Sequence, residues 1–121
     1  MREILFKAKK IDNGEWVEGL LTIMWGQYHI INPSDENTAY PIDVETICQF
    51  TGLSDKNGNK IWENDIVKET DIHLLGSVEY DEEHGMYVIN EVNDGYQNFQ
   101  EFWSCTEVIG NIFDNSELLS N

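Results

Sequence analysis

The sequence predicts an all-β protein folded as two small SH3-like β-barrel subdomains. Three features carry that prediction. Short runs rich in β-branched and aromatic residues recur, such as Trp16 to Met24 and Met86-Tyr87-Val88-Ile89. Clusters of Gly, Asn and Asp separate them at the spacing of small barrels and sandwiches. The pattern of the first half also returns in the second. One mixed β-barrel with short helical turns, without true duplication, is the alternative.

Taken in order, Ile4 to Lys9 reads as an edge strand, with Lys7, Lys9 and Lys10 guarding it against pairing with another chain. Asp12-Asn13-Gly14-Glu15 is a turn. Trp16 to Met24 is a mostly apolar strand, bent at Gly19. Trp25-Gly26-Gln27 reverses the chain into Tyr28-His29-Ile30-Ile31. Asn32 to Asn37, with Pro33, is a loop; Thr38 to Pro41 starts a short strand and Val44 to Phe50 is strand-like. In the second half, strands are expected from Asp65 to Lys68 and from Gly76 to Tyr80, where Val78 and Tyr80 alternate with polar neighbours. Asp81 to Gly85 turns the chain into Met86 to Ile89, and Asn93-Asp94-Gly95 marks another turn. Gln97 to Trp103 fits strand or short helix. Glu107 to Phe113 is the last strand, and Ser116 to Leu119 is one helical turn.

Laying Glu45 to Phe50 over Glu107 to Ile112, and Tyr28 to Ile31 over Tyr87 to Ile89, gives three parts. These are an N-terminal β subdomain over 1–50, a turn-rich connector over 51–65 and an acidic C-terminal β subdomain over 66–121. A unit of roughly 60 residues is marginal by itself. An interface between the halves, or a homo-oligomer, is expected to supply the missing burial.

The stretch TGLSDKNGNKIWENDIVK, Thr51 to Lys68, holds the strongest turn signal. Asn57-Gly58 accepts positive φ at both centres of a type I′ turn, and Asn64-Asp65 suggests a second turn. The stretch resembles the signature of the YopX family of phage and prophage proteins, in which T-G-L-x-D-K-N-G-x-x-I-aromatic-E-G-D-I-V recurs. Thr51, Gly52, Leu53, Asp55, Lys56, Asn57, Gly58, Ile61, Glu63, Asp65, Ile66 and Val67 match it. Trp62 stands where Tyr or Phe is more common. Asn64 replaces a glycine, and Asn is the best substitute for Gly at positive φ. The opening Arg2 to Ala8 and the closing Glu107 to Asn115 look like the same family, so the resemblance spans nearly the whole chain. It implies a phage or prophage origin and a bacterial cytoplasmic setting. It implies no reaction.

The net charge is -16, from 23 acids against 7 bases. No Lys or Arg follows Lys68, while twelve acids lie between Glu69 and Glu117. Direct binding of nucleic acid or of an anionic membrane needs clustered bases, so the charge argues against both. No run is long and apolar enough for a membrane span, and no secretion signal is visible.

No cofactor motif is present: there is no P-loop and no GxGxxG. The histidines, His29, His73 and His84, show no metal-ligand spacing. Cys48 and Cys105 lack CxxC partners and read as buried small apolar residues. Ser104-Cys105-Thr106 carries no nucleophile signature, so no enzymatic activity is expected. Trp25 and Trp103 flank turns or irregular segments and are the candidate partner contacts. The expected function is a non-enzymatic module that binds a protein partner, its identity open. The alternative is an acidic nucleic-acid mimic that occupies the basic groove of a host DNA- or RNA-binding protein.

Overall fold

The computed structural model describes residues 4–32, 34, 38–92, 95–97 and 103–120. Arg2-Glu3 of the opening motif, Pro33 and Asn37 of the first long loop, Asn93-Asp94 of the later turn and residues 98–102 lie outside them. The described residues form eleven β-strands in two antiparallel sheets, with short 3₁₀ turns. The chain divides into units at 1–50 and 51–121, so the stretch expected to be a separate connector belongs to the second unit.

In the first unit, β1 (Phe6–Lys9), β2 (Trp16–Met24), β3 (Gln27–Ile31) and β4 (Ala39–Pro41) form a meander. After a 3₁₀ turn at Val44–Thr46, β5 (Cys48–Ser54) returns to pair with β1, and β6 (Lys60–Trp62) follows it at the edge of a six-stranded sheet of order β4-β3-β2-β1-β5-β6. β1 is therefore an interior strand, not the edge its lysines suggested. The amino groups of Lys7 and Lys9 lie over the Trp16 ring instead, at 4.7 and 5.5 Å from its centroid. Val44–Thr46 is also not strand. The Asp43 carboxylate accepts from the Glu45 N–H, and the Thr46 hydroxyl and N–H both donate to the Asp43 carbonyl. These local bonds compete with a ladder and win the segment for a turn. The core is Ala8, Val17, Ile30 and Ile42, with Phe6, Leu21, Tyr28, Tyr40 and Ile47 packed against it.

Gly19 lets β2 press onto β3, because a Cβ there would stand 2.1 Å from the Ile31 carbonyl oxygen. The sheet curls far enough for Lys10 to bridge Ile42, and for the Ile11 N–H to donate to the Pro41 carbonyl at 3.0 Å. One bridge does not make a ladder. The described residues form open, curled sheets and no closed barrel, which corrects the barrel expectation.

The second unit contains the end of β5, then β6 (Lys60–Trp62), β7 (Asp65–Glu69), β8 (Leu74–Asp81), β9 (Met86–Glu91), β10 (Gly95–Gln97), a 3₁₀ turn at Trp103–Cys105, β11 (Glu107–Asn111) and a 3₁₀ turn at Ser116–Leu119. Its five-stranded sheet has the order β10-β9-β8-β7-β11, the same scheme as β4-β3-β2-β1-β5. Details repeat with the scheme. Thr46 and Thr106 are both buried, and each hydroxyl donates 2.7 Å to the carbonyl three residues back. Gly76 presses against the Asn90 carbonyl as Gly19 does against that of Ile31. Thr46 on Thr106 sets the register of the repeat, two residues away from the overlay drawn on sequence. The core here is Ile61, Val67, Leu74, Val78, Tyr87, Ile89 and Trp103. Cys48 is buried as expected, but Cys105 is exposed on the 3₁₀ turn.

Candidate functional site

The motif shared with the resembling family builds the start of the second unit from the backbone up. The Thr51 hydroxyl donates to the Ile61 carbonyl at 2.7 Å and accepts from the Leu53 N–H, fastening β5 to β6. Asp55 is 5% exposed, and its carboxylate accepts three backbone N–H groups: Asn59 at 2.8 Å, Asn57 at 2.9 Å and Val108 at 3.0 Å. Burial pushes this carboxyl up; those three donors and the Asn59 side chain outweigh it and hold it below its ordinary 3.8. The Gly58 N–H donates to the Asp55 carbonyl, and Gly58 has φ 82° while Asn57 does not enter the left-handed region. The turn is thus organised by Asp at its first position and Gly at its fourth, a type I preference, and not by a type I′ Asn-Gly pair.

Asn64 does adopt φ 69°, as the Asn-for-Gly reading required, and Asp65 accepts from the Trp62 N–H at 2.8 Å. Ile61, Ile66 and Val67 are core, Gly52 has φ 85°, and Lys56 reaches Glu107 at 3.9 Å. Glu63 lies in the turn between β6 and β7. The buried acids of this motif hold turns in shape and present no carboxylate to a ligand.

The two candidate tryptophans part company. Trp103 is 3% exposed and sits in the second core, so it offers no surface to a partner. Its indole N–H has no acceptor among the described residues. Trp25 is 95% exposed. It occupies the first position of the two-residue loop between Met24 and Gln27, with φ 51° followed by 77° at Gly26. That is type I′ geometry, where Asn, Asp or Gly is at ease and a bulky residue is strained by about 1–2 kcal/mol. Backbone strain of this kind clusters at functional sites, which makes Trp25 a candidate.

Beside this hairpin a cavity of about 500 Å³ is lined by Lys9, Lys10, Ile11, Gly14, Gln27, Ile42, Asp43 and Val44. The curl that brings β4 back to β1 creates it. Ile11 and Val44 are exposed on its wall and Ile42 is fully buried. The sequence offers Trp25 as a candidate but gives no sign of this cavity, since its lining comes from three separate turns.

The acids and histidines look different. Asp81, Glu83 and His84 gather ligand atoms within 4.8 Å of one another. Asp81 is already committed to its turn: one oxygen accepts from the Glu83 and His84 N–H groups, and the other lies 2.7 Å from His84 Nδ1. The hydrogen bond with His84 holds the Asp81 carboxyl below its ordinary value. His29 is buried, with Nδ1 at 2.9 Å from the Gln27 carbonyl oxygen. No helix among the described residues is long and apolar enough to cross a membrane.

The topology and the turn motif define a duplicated all-β chain with a structural signature segment at its middle. A family model described as YopX protein matches residues 5–120, and the chain belongs to the YopX family. No curated protein matches the sequence.

Proposed function

We propose that the chain is a non-enzymatic protein-binding module, a phage or prophage accessory protein working in the bacterial cytoplasm, with Trp25 as the anchor for its partner. The observation that carries this is the strained, 95% exposed tryptophan at the β2–β3 loop. Exposed Ile23, two residues before it, adds apolar surface to the same hairpin. Tryptophan is among the residues that dominate binding energy at interfaces. The surface-exposed Asp81–His84 pair, engaged in capping its own turn, supports a non-catalytic reading.

Trp25→Asn tests it by separating stability from binding. Asn relaxes into the left-handed region, so the melting temperature is expected to rise by about 3–5 °C. Affinity for the protein that the wild type captures from lysogenic cells is expected to fall by about thirtyfold or more, as for an anchor residue. A variant that binds that protein as well as the wild type sinks the proposal, as does failure of the wild type to capture any protein specifically.

The acidic-mimic alternative draws on the charge of residues 51–121, fifteen acids against three bases. Asp55, Asp65 and Glu91 are buried, which removes them from any phosphate-like face. Displacement of DNA from a host nuclease by the purified chain is the measurement that would favour it.

A further inference from the structure

We infer that the cavity beside the β2–β3 hairpin receives a short acidic–aliphatic peptide segment of the partner, with a carboxylate meeting Lys10; this rests on the protein-binding reading above. Lys10 is the key group. Its side chain is 19% exposed, yet the carboxylate paired with it, that of Glu15, is 3.9 Å away and 72% exposed. The Tyr40 ring lies 4.6 Å from the amino group. The ammonium stands 3.9 Å from the Glu15 carboxylate, beyond true hydrogen-bond length, so a carboxylate that approaches more closely would hold it better.

The remaining lining agrees. Asp43 is the only acid on it among the described residues, and that carboxylate already accepts the Glu45 N–H. The Gln27 amide divides its donation between the Tyr28 and Ile42 carbonyls at 3.3 Å each, long enough to yield to a better acceptor on an incoming backbone. Ile11 and Val44 supply an exposed aliphatic wall. A volume of about 500 Å³ suits a few side chains. A polyanion such as nucleic acid would be repelled by the chain's net charge of -16, whereas a segment with one or two carboxylates beside Leu or Ile meets one ammonium and an apolar surface.

The test uses the full chain and three synthetic peptides of one length: Glu flanked by leucines, the same with Gln for Glu, and the same with Lys for Glu. Amide shifts and fluorescence anisotropy report binding. The Glu peptide is expected to shift Lys10, Ile11, Gln27 and Val44, to bind about tenfold tighter than its Gln twin, and to weaken with salt. Lys10→Gln should lose about tenfold while Lys10→Arg retains binding, a control for the contact with Tyr40. Glu15→Gln lies on an exposed residue and keeps the fold secure. Removing that competing carboxylate is expected to tighten the Glu peptide about threefold. Equal binding of the Glu and Gln peptides, shifts centred elsewhere, or no response to Glu15→Gln would overturn the inference. A captured host protein that depends on Trp25 but ignores Lys10→Gln and Glu15→Gln would remove it and leave the protein-binding reading standing.

Discussion

The Asp55 carboxylate accepts the N–H groups of Asn57, Asn59 and Val108, so one side chain closes the turn after β5 and fixes the start of β11. Charge-assisted bonds of this kind are roughly twice as strong as neutral ones. Asp55→Asn keeps the volume but turns an amide toward at least one donor, and is expected to cost about 2–3 kcal/mol at neutral pH. The pH dependence follows from the depressed folded value. The carboxylate's contribution is complete above the ordinary 3.8 and fades as pH falls through the lower folded value. Urea midpoints of wild type and variant should therefore lie far apart at neutral pH and converge in acid. A gap that stays constant with pH would assign the loss to packing. Residues of this kind were partly legible. Asn64 announced its positive φ, because it stands at a Gly position. Nothing in the sequence marked Asp55 as buried, because the Val108 N–H that fills it lies 53 positions along the chain. Trp25 gave no sign of its left-handed backbone, since nothing in Trp prefers it.

At the scale of the element, β2 and β8 play matching parts, each pressed against the next strand through a glycine. A Cβ on Gly19 would meet the Ile31 oxygen at 2.1 Å, and one on Gly76 the Asn90 oxygen at 2.5 Å. The obstacle is backbone in both cases, and backbone yields only by opening the ladder. Gly19→Ala and Gly76→Ala are each expected to cost about 3 kcal/mol. Hydrogen exchange should show the first speeding exchange at Val17 and Ile30 and the second at Val78 and Ile89. Unchanged protection at those amides would mean the strands can move apart without loss. Gly19 was readable as a bend because glycine interrupts an apolar run. The strand-like reading of Val44 to Phe50 failed over its first residues, where the Asp43 cap and the Thr46 hydroxyl make local bonds that apolar patterning does not register. Trp103 was misplaced for a related reason: it sits on a 3₁₀ turn, yet the core of the second unit closes over it.

Over the whole molecule, the repeated strand order shows through the sequence as repeated turn spacing, although the register came out two residues off. Charge is not repeated in the same way. Residues 1–50 carry eight acids against four bases, and residues 51–121 fifteen against three. Two effects compete in the second unit. Like charges on a compact fold repel, and salt relieves them. Lys56 and Lys68 both reach one Glu107 oxygen, at 3.9 and 3.8 Å, and salt weakens those pairs. The pairs are half-exposed and worth at most about 1 kcal/mol each. Acids outnumber bases five to one, so repulsion should prevail. Raising NaCl from about 0.02 M to about 0.5 M cuts the Debye length from roughly 20 Å to roughly 4 Å. Stability measured by urea unfolding is expected to rise across that range. Amide exchange should slow more at Val67, Val78 and Ile89 than at Val17 and Ile30. A fall in stability, or an equal response in both units, would mean that the ion pairs around Glu107 outweigh the surplus of carboxylates.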